Sequence, residues 1–276
     1  ETLIGEKYQY VSGGKGSNQA VASARLGAET TFMGKVGDDN HGRRLMKSLS
    51  GEGVNIDSMK ISPDKKTGLA VIMVDQQGEN RILVYPGANL DIQKNELKNV
   101  FDDSYQAVIL QLEIAREIVS ASCLWANELG IPVILDAGPA QKFVLEIDEQ
   151  LEILSPNETE TSFLTGVKVK DNASAKKAAQ ILAKKIQTRH IVIKMGARGA
   201  FLYNENTSKH FPGHEVDNVV DTTAAGDAFT AAMTYKYIQK KDIAKAIQFA
   251  NKAGALTVTK MGAHPSLPEI EEINKF

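Results

Sequence analysis

Five short apolar runs separated by segments of helical periodicity constrain this chain more than any other feature. The runs are 30–36 (TTFMGKV), 107–112 (AVILQL), 132–136 (PVILD), 151–154 (LEIL) and 190–195 (HIVIKM). Several are rich in Val and Ile and apolar on both faces, as parallel strands covered on both sides must be. Between them lie segments such as 115–129 and 173–187. The second, ASAKKAAQILAKKIQ, sets alanines and a leucine on one side and lysines on the other, a solvated helix face. Strand and helix in alternation predict an α/β layered fold with a mainly parallel sheet. At 276 residues, 42% of them hydrophobic, the chain is long enough for one large core.

One segment departs from that rhythm. TGLAVIMVDQQGENRILVYPGAN (67–89) is two apolar runs joined by a polar, Gly-containing turn, which predicts a β-hairpin. Its runs have no neighbouring helix to cover them, so a small antiparallel flap over the body, or a surface for a second subunit, is expected. The opening TLIGEKYQYVS offers a further strand to that flap. The expected division is an α/β core of 13–66 and 88–276, with a β lid of 1–12 and 67–87.

Charge and cysteine content exclude several classes of function. A net charge of −2 gives no electrostatic footprint for nucleic acid or an anionic membrane, and no apolar run approaches a bilayer span. No signal-peptide pattern is seen. The single cysteine, Cys123, excludes an internal disulfide and sits in an apolar helix as a buried thiol, so a reducing, cytoplasmic setting is expected. Among five histidines, His210 and His214 have i, i+4 spacing, but Pro212 between them argues against a shared metal-binding face.

Two Gly-rich turns carry the chemistry. GGKGSNQAVASARLG (13–27) leads into a helix but is no Walker A loop, because Gly16 follows Lys15, and no dinucleotide fingerprint, because Gln19 occupies the last glycine's place. It is either a tight turn capped at Ser17 or Asn18, or a place where backbone and polar side chains approach a small hydroxylated ligand. In VVDTTAAGDAFTAAM (219–233), Asp227 is either helix punctuation or a functional acid. With a helix beginning near Gly226, the amides of Ala224, Ala225 and Gly226 converge at its positive end, behind nothing bulkier than a methyl. Such a nest suits a phosphoryl group, and a carboxylate beside it can take a hydroxyl's proton.

GGKGSNQA and DTTAAGDAF, in that order, resemble the two signatures of the ribokinase-like (phosphofructokinase-B) sugar kinase family. Between them SPNETE (155–160) is similar to the family's Asn-x-x-Glu motif, and IVIKMGARGAF (191–201) to its strand-and-glycine nucleotide loop. The resemblance covers essentially the whole chain, including the GEN…GAN spacing at 78–89. It implies a three-layer α/β/α sandwich with a small β-sheet lid, and transfer of the γ-phosphoryl of MgATP to the 5-hydroxyl of D-ribose. On this resemblance Asp227 is the general base and Ala224, Ala225 and Gly226 form the anion hole. Gly14, Lys15, Gly16, Ser17 and Asn18, helped by Glu113, hold the sugar. Asn157 and Glu160 organise phosphate and Mg²⁺ water, and the loop Lys194, Met195, Gly196, Ala197, Arg198, Gly199 borders the adenosine with Asn251 nearby. Asp221, Thr223, Thr257, Lys260, Gly262 and Ser266 match a monovalent-cation site suited to K⁺. A homodimer through the lid is expected.

By pattern alone other readings stay open. Glu113 ends a strand, where open α/β sheets place ligands or where a carboxylate is merely solvated. Asn157 and Glu160 fit a capping box as well as a phosphate site, and Lys15 fits a solvated turn. A Gly-x-x-Asn-x-Asp sugar-gripping pattern belongs to an early strand in the family; residues 1–12 lack it, so natural sequence is expected before Glu1. Related substrates, namely fructose, a sugar phosphate or a nucleoside, are alternatives, as is a noncatalytic sensor on the same fold.

Overall fold

A computed structural model describes residues 8–74 and 80–276. In chain order the strands are β1 (Lys35–Gly37), β2 (Lys60–Ser62), β3 (Leu69–Val74), β4 (Asn80–Tyr85) and β5 (Val108–Leu110), then β6 (Val133–Leu135), β7 (Leu151–Leu154), β8 (Thr188–Lys194), β9 (Ala200–Tyr203) and β10 (Ser208–Phe211). Strands β5 to β8 pair in parallel, and β9 and β10 extend the same sheet antiparallel in the order β10-β9-β8-β7-β6-β5.

The apolar-on-both-faces runs explain the layering. In β6, Val133 and Leu135 face a core containing Val119 and Cys123 of the Arg116–Glu128 helix and Ala178 and Leu182 of the Asn172–Ala183 helix. Ile134 between them joins the opposite core, with Phe229 and Met233 of the Ala225–Lys240 helix and Ile247 and Ala250 of the Ile243–Thr257 helix. Burying both faces of each strand requires helices on each side, and the result is the expected three-layer α/β/α sandwich with a mainly parallel sheet. Cys123 is fully buried, and burial pushes its thiol up to about 12, which makes it an inert core residue.

The run at 30–36 departs from expectation. It forms a strand only over Lys35–Gly37, and this pairs with Lys60–Ser62 in a separate two-stranded parallel sheet. The buried Lys35 explains why: its ammonium donates to the Asp91 carbonyl and to Glu96, which draws this small sheet toward 87–96. Gly37 allows the close approach, since a methyl there would lie 2.5 Å from the Lys65 carbonyl. The segment 67–89 forms the antiparallel pair β3–β4, with Leu69 opposite Tyr85 and Ile72 opposite Ile82. Its base is pinned by Asp39, which accepts from the Thr67 amide at 2.9 Å and the Thr67 hydroxyl at 2.7 Å. Residues 75–79 of the expected hairpin turn, and residues 1–7 of the segment expected to add a strand, lie outside the described residues; residues 8–14 run without strand structure.

Candidate active site

Four parallel strands end on one edge of the sheet, and a cluster of polar side chains stands just past those ends. Gln111 and Glu113 follow β5, Asp136 and Gly138 follow β6, Asn157 follows β7, and Lys194 closes β8. Two helices start over this edge: Lys15–Arg25, with Gly14 at φ 97° before it, and Ala225–Lys240. Strand ends of an open parallel sheet are where such folds hold ligands.

Asp227 does not cap its own helix. The Ala225–Lys240 helix has no side-chain cap. Asp227 Oδ2 instead accepts from Asn18 Nδ2 at 2.7 Å and Oδ1 from Gln19 Nε2 at 3.2 Å, both on the other helix. Lys15 Nζ stands 3.9 Å from Oδ1. The carboxyl is buried, and burial raises its pKa; Lys15 and the Asn18 bond pull it down and Asp136 pushes it up, with a net rise. A carboxylate whose proton affinity is raised is a better base.

The turn before it has an unusual backbone. Ala224 sits at φ 63°, ψ 0°, a left-handed conformation costly for a residue with a Cβ and one that aims successive amides to one side. Among the described residues the amides of Ala224 and Gly226 have no partner, while that of Ala225 makes a long 3.3 Å bond back to the Thr222 carbonyl.

The turn at 13–17, expected to face the sugar, is anchored from outside its own helix. The Lys15 amide donates to Glu113 Oε2 at 2.9 Å, so Glu113 supplies the acidic group that the helix N-terminus lacks. Burial raises the Glu113 pKa, against the Lys15 contacts. Burial disfavours the Lys15 ammonium, but Asp136, Asp227, Glu160 and Glu113 together outweigh it and keep Lys15 charged far into the alkaline range. Ser17 is turned inward: its hydroxyl donates to the Gly13 and Gly14 carbonyls and meets His264 Nε2 at 3.2 Å. Gly16 packs tightly, since a methyl there would lie 2.9 Å from Gln111 Oε1.

Of the residues expected at the nucleotide, Asn157 and Glu160 form a reciprocal capping box, the Asn157 amide donating to Glu160 Oε2 and the Glu160 amide to Asn157 Oδ1. Glu160 also reaches toward Lys15, because a methyl on Gly138 would crowd both Glu160 Oε1 and Lys15 Nζ. Met195 buries its side chain in the core and offers only backbone, its amide donating to the Gly199 carbonyl. Ala197 and Arg198 line a cleft of about 470 Å³ with Pro212 and Gly213, and Arg198 pairs with Glu158. Asn251 donates to the Pro212 carbonyl at 2.9 Å and fixes that cleft's wall. Lys194, expected beside adenosine, places its ammonium on Asp136 Oδ2 at 2.7 Å.

The six residues expected to hold a cation fall on two segments, 221–223 and 257–266, that are held together. Asp221 Oδ1 accepts from the Thr223 amide and hydroxyl, Oδ2 accepts from the Gly262 amide at 2.9 Å, and the Val220 amide donates to the Val258 carbonyl. Thr257 and Ser266 are fully buried, their hydroxyls donating to the Ala253 and Ala263 carbonyls. The Lys260 ammonium pairs with Glu272, so only its backbone carbonyl is available here.

Asp136 escapes a reading of the two glycine motifs. Its Oδ2 takes Lys194, the Thr230 hydroxyl at 3.0 Å and Gln19 Nε2 at 3.0 Å. Gln19 therefore bridges the two aspartates and is itself held by Gln111. Burial works against ionised Asp136, but Lys194, Lys15 and these hydrogen bonds hold its pKa down. The signal for it was present in PVILD, an acid at a strand's C-terminal end, the position that also marks Glu113.

Residues 1–270 match the pfkB family of carbohydrate kinases. The chain is 36% identical over 279 residues to a ribokinase of Haemophilus influenzae, covering 100% of this chain and 90% of that one. It is 33% identical over 282 residues to a deoxyribokinase of Salmonella typhimurium, with 100% and 90% covered. The structure of Arabidopsis thaliana ribokinase complexed with ribose and ATP superposes with a TM-score of 0.90 at 32% identity, covering 100% of this chain and 90% of that one.

Proposed function

The chain belongs to the pfkB family of carbohydrate kinases, and from that premise we propose that it is a ribokinase that transfers the γ-phosphoryl of ATP to the 5-hydroxyl of D-ribose. The observation that carries the mechanism is the Asp227 carboxylate, buried one residue past Gly226 and bonded to Asn18 and Gln19 of the helix that follows the sugar-side turn. A base there touches both halves of a phosphoryl transfer to an alcohol.

Asp227 takes the hydroxyl proton as the sugar oxygen bonds to phosphorus and the bond to the ADP oxygen breaks. Asn18 and Gln19 fix the carboxylate's orientation, and Lys15 favours its ionised form. The amides of Ala224 and Gly226, with Ala225, receive the phosphoryl oxygens. Gly14, Lys15, Gly16, Ser17 and Asn18 shape the sugar-side turn, and Glu113 accepts a sugar hydroxyl; Ser17 acts through the backbone it braces. Met195, Gly196, Ala197 and Gly199 border the nucleotide, and Arg198 and Asn251 hold the walls.

Two ammonium groups, Lys15 and Lys194, face four carboxyls, Glu113, Asp136, Glu160 and Asp227, so the site fits a divalent cation arriving with the nucleotide. Asn157 and Glu160 would hold that ion through water, in the manner of Mg²⁺. Magnesium, when bound, neutralises phosphate charge. The oxygen-rich loops of Asp221, Thr223, Thr257, Lys260, Gly262 and Ser266 fit K⁺, and their tie to the Ala224 turn through Thr223 gives the ion a route to the anion hole. A cytoplasmic setting accords with the buried, inert Cys123.

The hairpin supports a homodimer. Adjacent residues Ile82, Leu83 and Val84 are 60%, 66% and 59% exposed, so both faces of a two-stranded ribbon lie uncovered. Such a ribbon is marginal in water unless another surface covers it, and a second copy supplies one.

Phosphorus NMR of a reaction with ATP, Mg²⁺ and K⁺ tests the reading. Ribose 5-phosphate and ADP are expected, with loss of turnover on chelating Mg²⁺ and reduced turnover when Na⁺ replaces K⁺. ATP hydrolysis without sugar phosphate would refute it.

A further inference from the structure

The pair Asp136–Lys194 has no part in the proton transfer just described. Asp136 is fully buried and Lys194 nearly so, with Nζ 2.7 Å from Asp136 Oδ2 and 3.3 Å from Thr230 Oγ1. A buried ion pair gains little over apolar residues of the same size, so stability alone gives no reason for one here. Its hydrogen bonding is also incomplete. Asp136 Oδ1 is buried with no partner among the described residues, and a lysine has three N–H groups where two protein acceptors are present.

The position of Lys194 points to what completes it. A methyl built on Gly226 would lie 3.8 Å from Lys194 Nζ, so the ammonium abuts the glycine of the anion-hole turn. Thr230 joins the same group, its hydroxyl lying 3.0 Å from both Asp136 Oδ2 and the Gly226 carbonyl. The Lys194 backbone bridges Asn157, and its amide donates to the Pro156 carbonyl at 2.8 Å, beside the cap that carries Glu160. Lys194 therefore stands between the two elements assigned to the phosphates and has one N–H to spare.

We propose that Lys194 is a catalytic residue whose ammonium contacts the phosphoryl group in transit, and that Asp136 is the positioning residue that aims it. This inference rests on the kinase reading above. Phosphoryl transfer spreads negative charge over the equatorial oxygens, and a fixed cation beside the turn stabilises that charge more than it does the ground state. Asp136 also shares the Gln19 amide with Asp227, at 3.0 and 3.2 Å, so the cation and the base are aligned through one side chain.

The test compares Lys194→Met, Asp136→Asn and the double variant Asp136→Asn/Lys194→Met in steady-state kinetics, with wild-type turnover of ribose establishing the kinase reading independently. Lys194→Met is expected to lower kcat by about 10²-fold, as for loss of one transition-state donor, with the ribose KM within about threefold of wild type. The double variant removes both buried charges together and is expected to fold yet keep the loss in kcat. Wild-type kcat in the double variant would show the two residues merely neutralise each other and would overturn the proposal. A loss confined to KM for ATP would overturn it as well, and so would failure of all three variants to fold, which marks a structural pair.

Discussion

Replacing Asp227 by Asn changes activity and stability in opposite directions. The side chain keeps its shape and loses its charge and its basicity. The neighbouring carboxyls are engaged in other contacts: Asp136 Oδ2 receives three donors, and Glu113 Oε2 holds the Lys15 amide. General-base catalysis contributes roughly 10²- to 10⁴-fold, and the engagement of these carboxyls elsewhere puts this site in the upper part of that range, about 4–5 kcal/mol of barrier. Stability runs the other way. The Asp227 pKa is raised in the folded state, chiefly by burial, so its ionised form is worse off folded than unfolded. The stability linked to this group is therefore present below the ordinary carboxylate pKa and is lost as pH rises, and at pH 7 the carboxylate costs stability. The amide removes that cost, and the Asn18 amide, whose Oδ1 has no partner, can turn to accept from the new NH₂. Coupled ADP-release kinetics and thermal unfolding at pH 7 should show kcat reduced at least 10³-fold with Tm unchanged or higher. A well-folded variant with near wild-type kcat, or an unfolded one, would refute this reasoning.

Three further perturbations follow from the same contacts. Asn18→Ala removes a hydrogen bond that favours ionised Asp227, so the acid limb of the kcat/KM profile should move to higher pH; an unmoved or downward-shifted limb would contradict the pairing. His264 is buried between Ser17 and Ser48 with its pKa lowered to about 4, mainly by burial. As pH falls from about 6.5 to 4 the unfolded chain gains that proton first, so up to about 3 kcal/mol is lost, and urea midpoints at pH 7 and 4.5 should converge in His264→Gln relative to wild type. Ile82→Lys with Val84→Lys places two charges on one face of the hairpin. Light scattering should show a dimeric wild type and a monomeric, folded variant, and a monomeric wild type would remove the basis for the lid dimer.

Much of this architecture was legible because burial on two faces leaves a plain mark. Runs such as PVILD and HIVIKM are apolar at consecutive positions, and Val133, Ile134 and Leu135 do pack alternately into the two cores. The hairpin 67–89 was legible for the opposite reason, its apolar runs having no helix to cover them. The run at 30–36 misled because its destination depends on a long-range contact, the Lys35 ammonium with Asp91 and Glu96, that local pattern does not encode. In the site, glycines and a following Asp marked the two turns. Asp136 was marked only by its place at a strand's C-terminal end, and Gln19 and Thr230 read as ordinary helix residues until the fold brings each within about 3 Å of Asp136. Ser17 and Met195 show the converse, motif positions whose side chains serve packing.

The identity of the phosphoryl acceptor decides between a ribokinase and its alternatives. Purified protein with MgATP and K⁺ should be assayed for kcat/KM across D-ribose, 2-deoxyribose, fructose, a sugar phosphate and a nucleoside, with the phosphorylated carbon located by NMR. The account predicts D-ribose as the preferred substrate, phosphorylated at the 5-hydroxyl. Preference for another acceptor, or tight sugar binding without phosphoryl transfer, would contradict it.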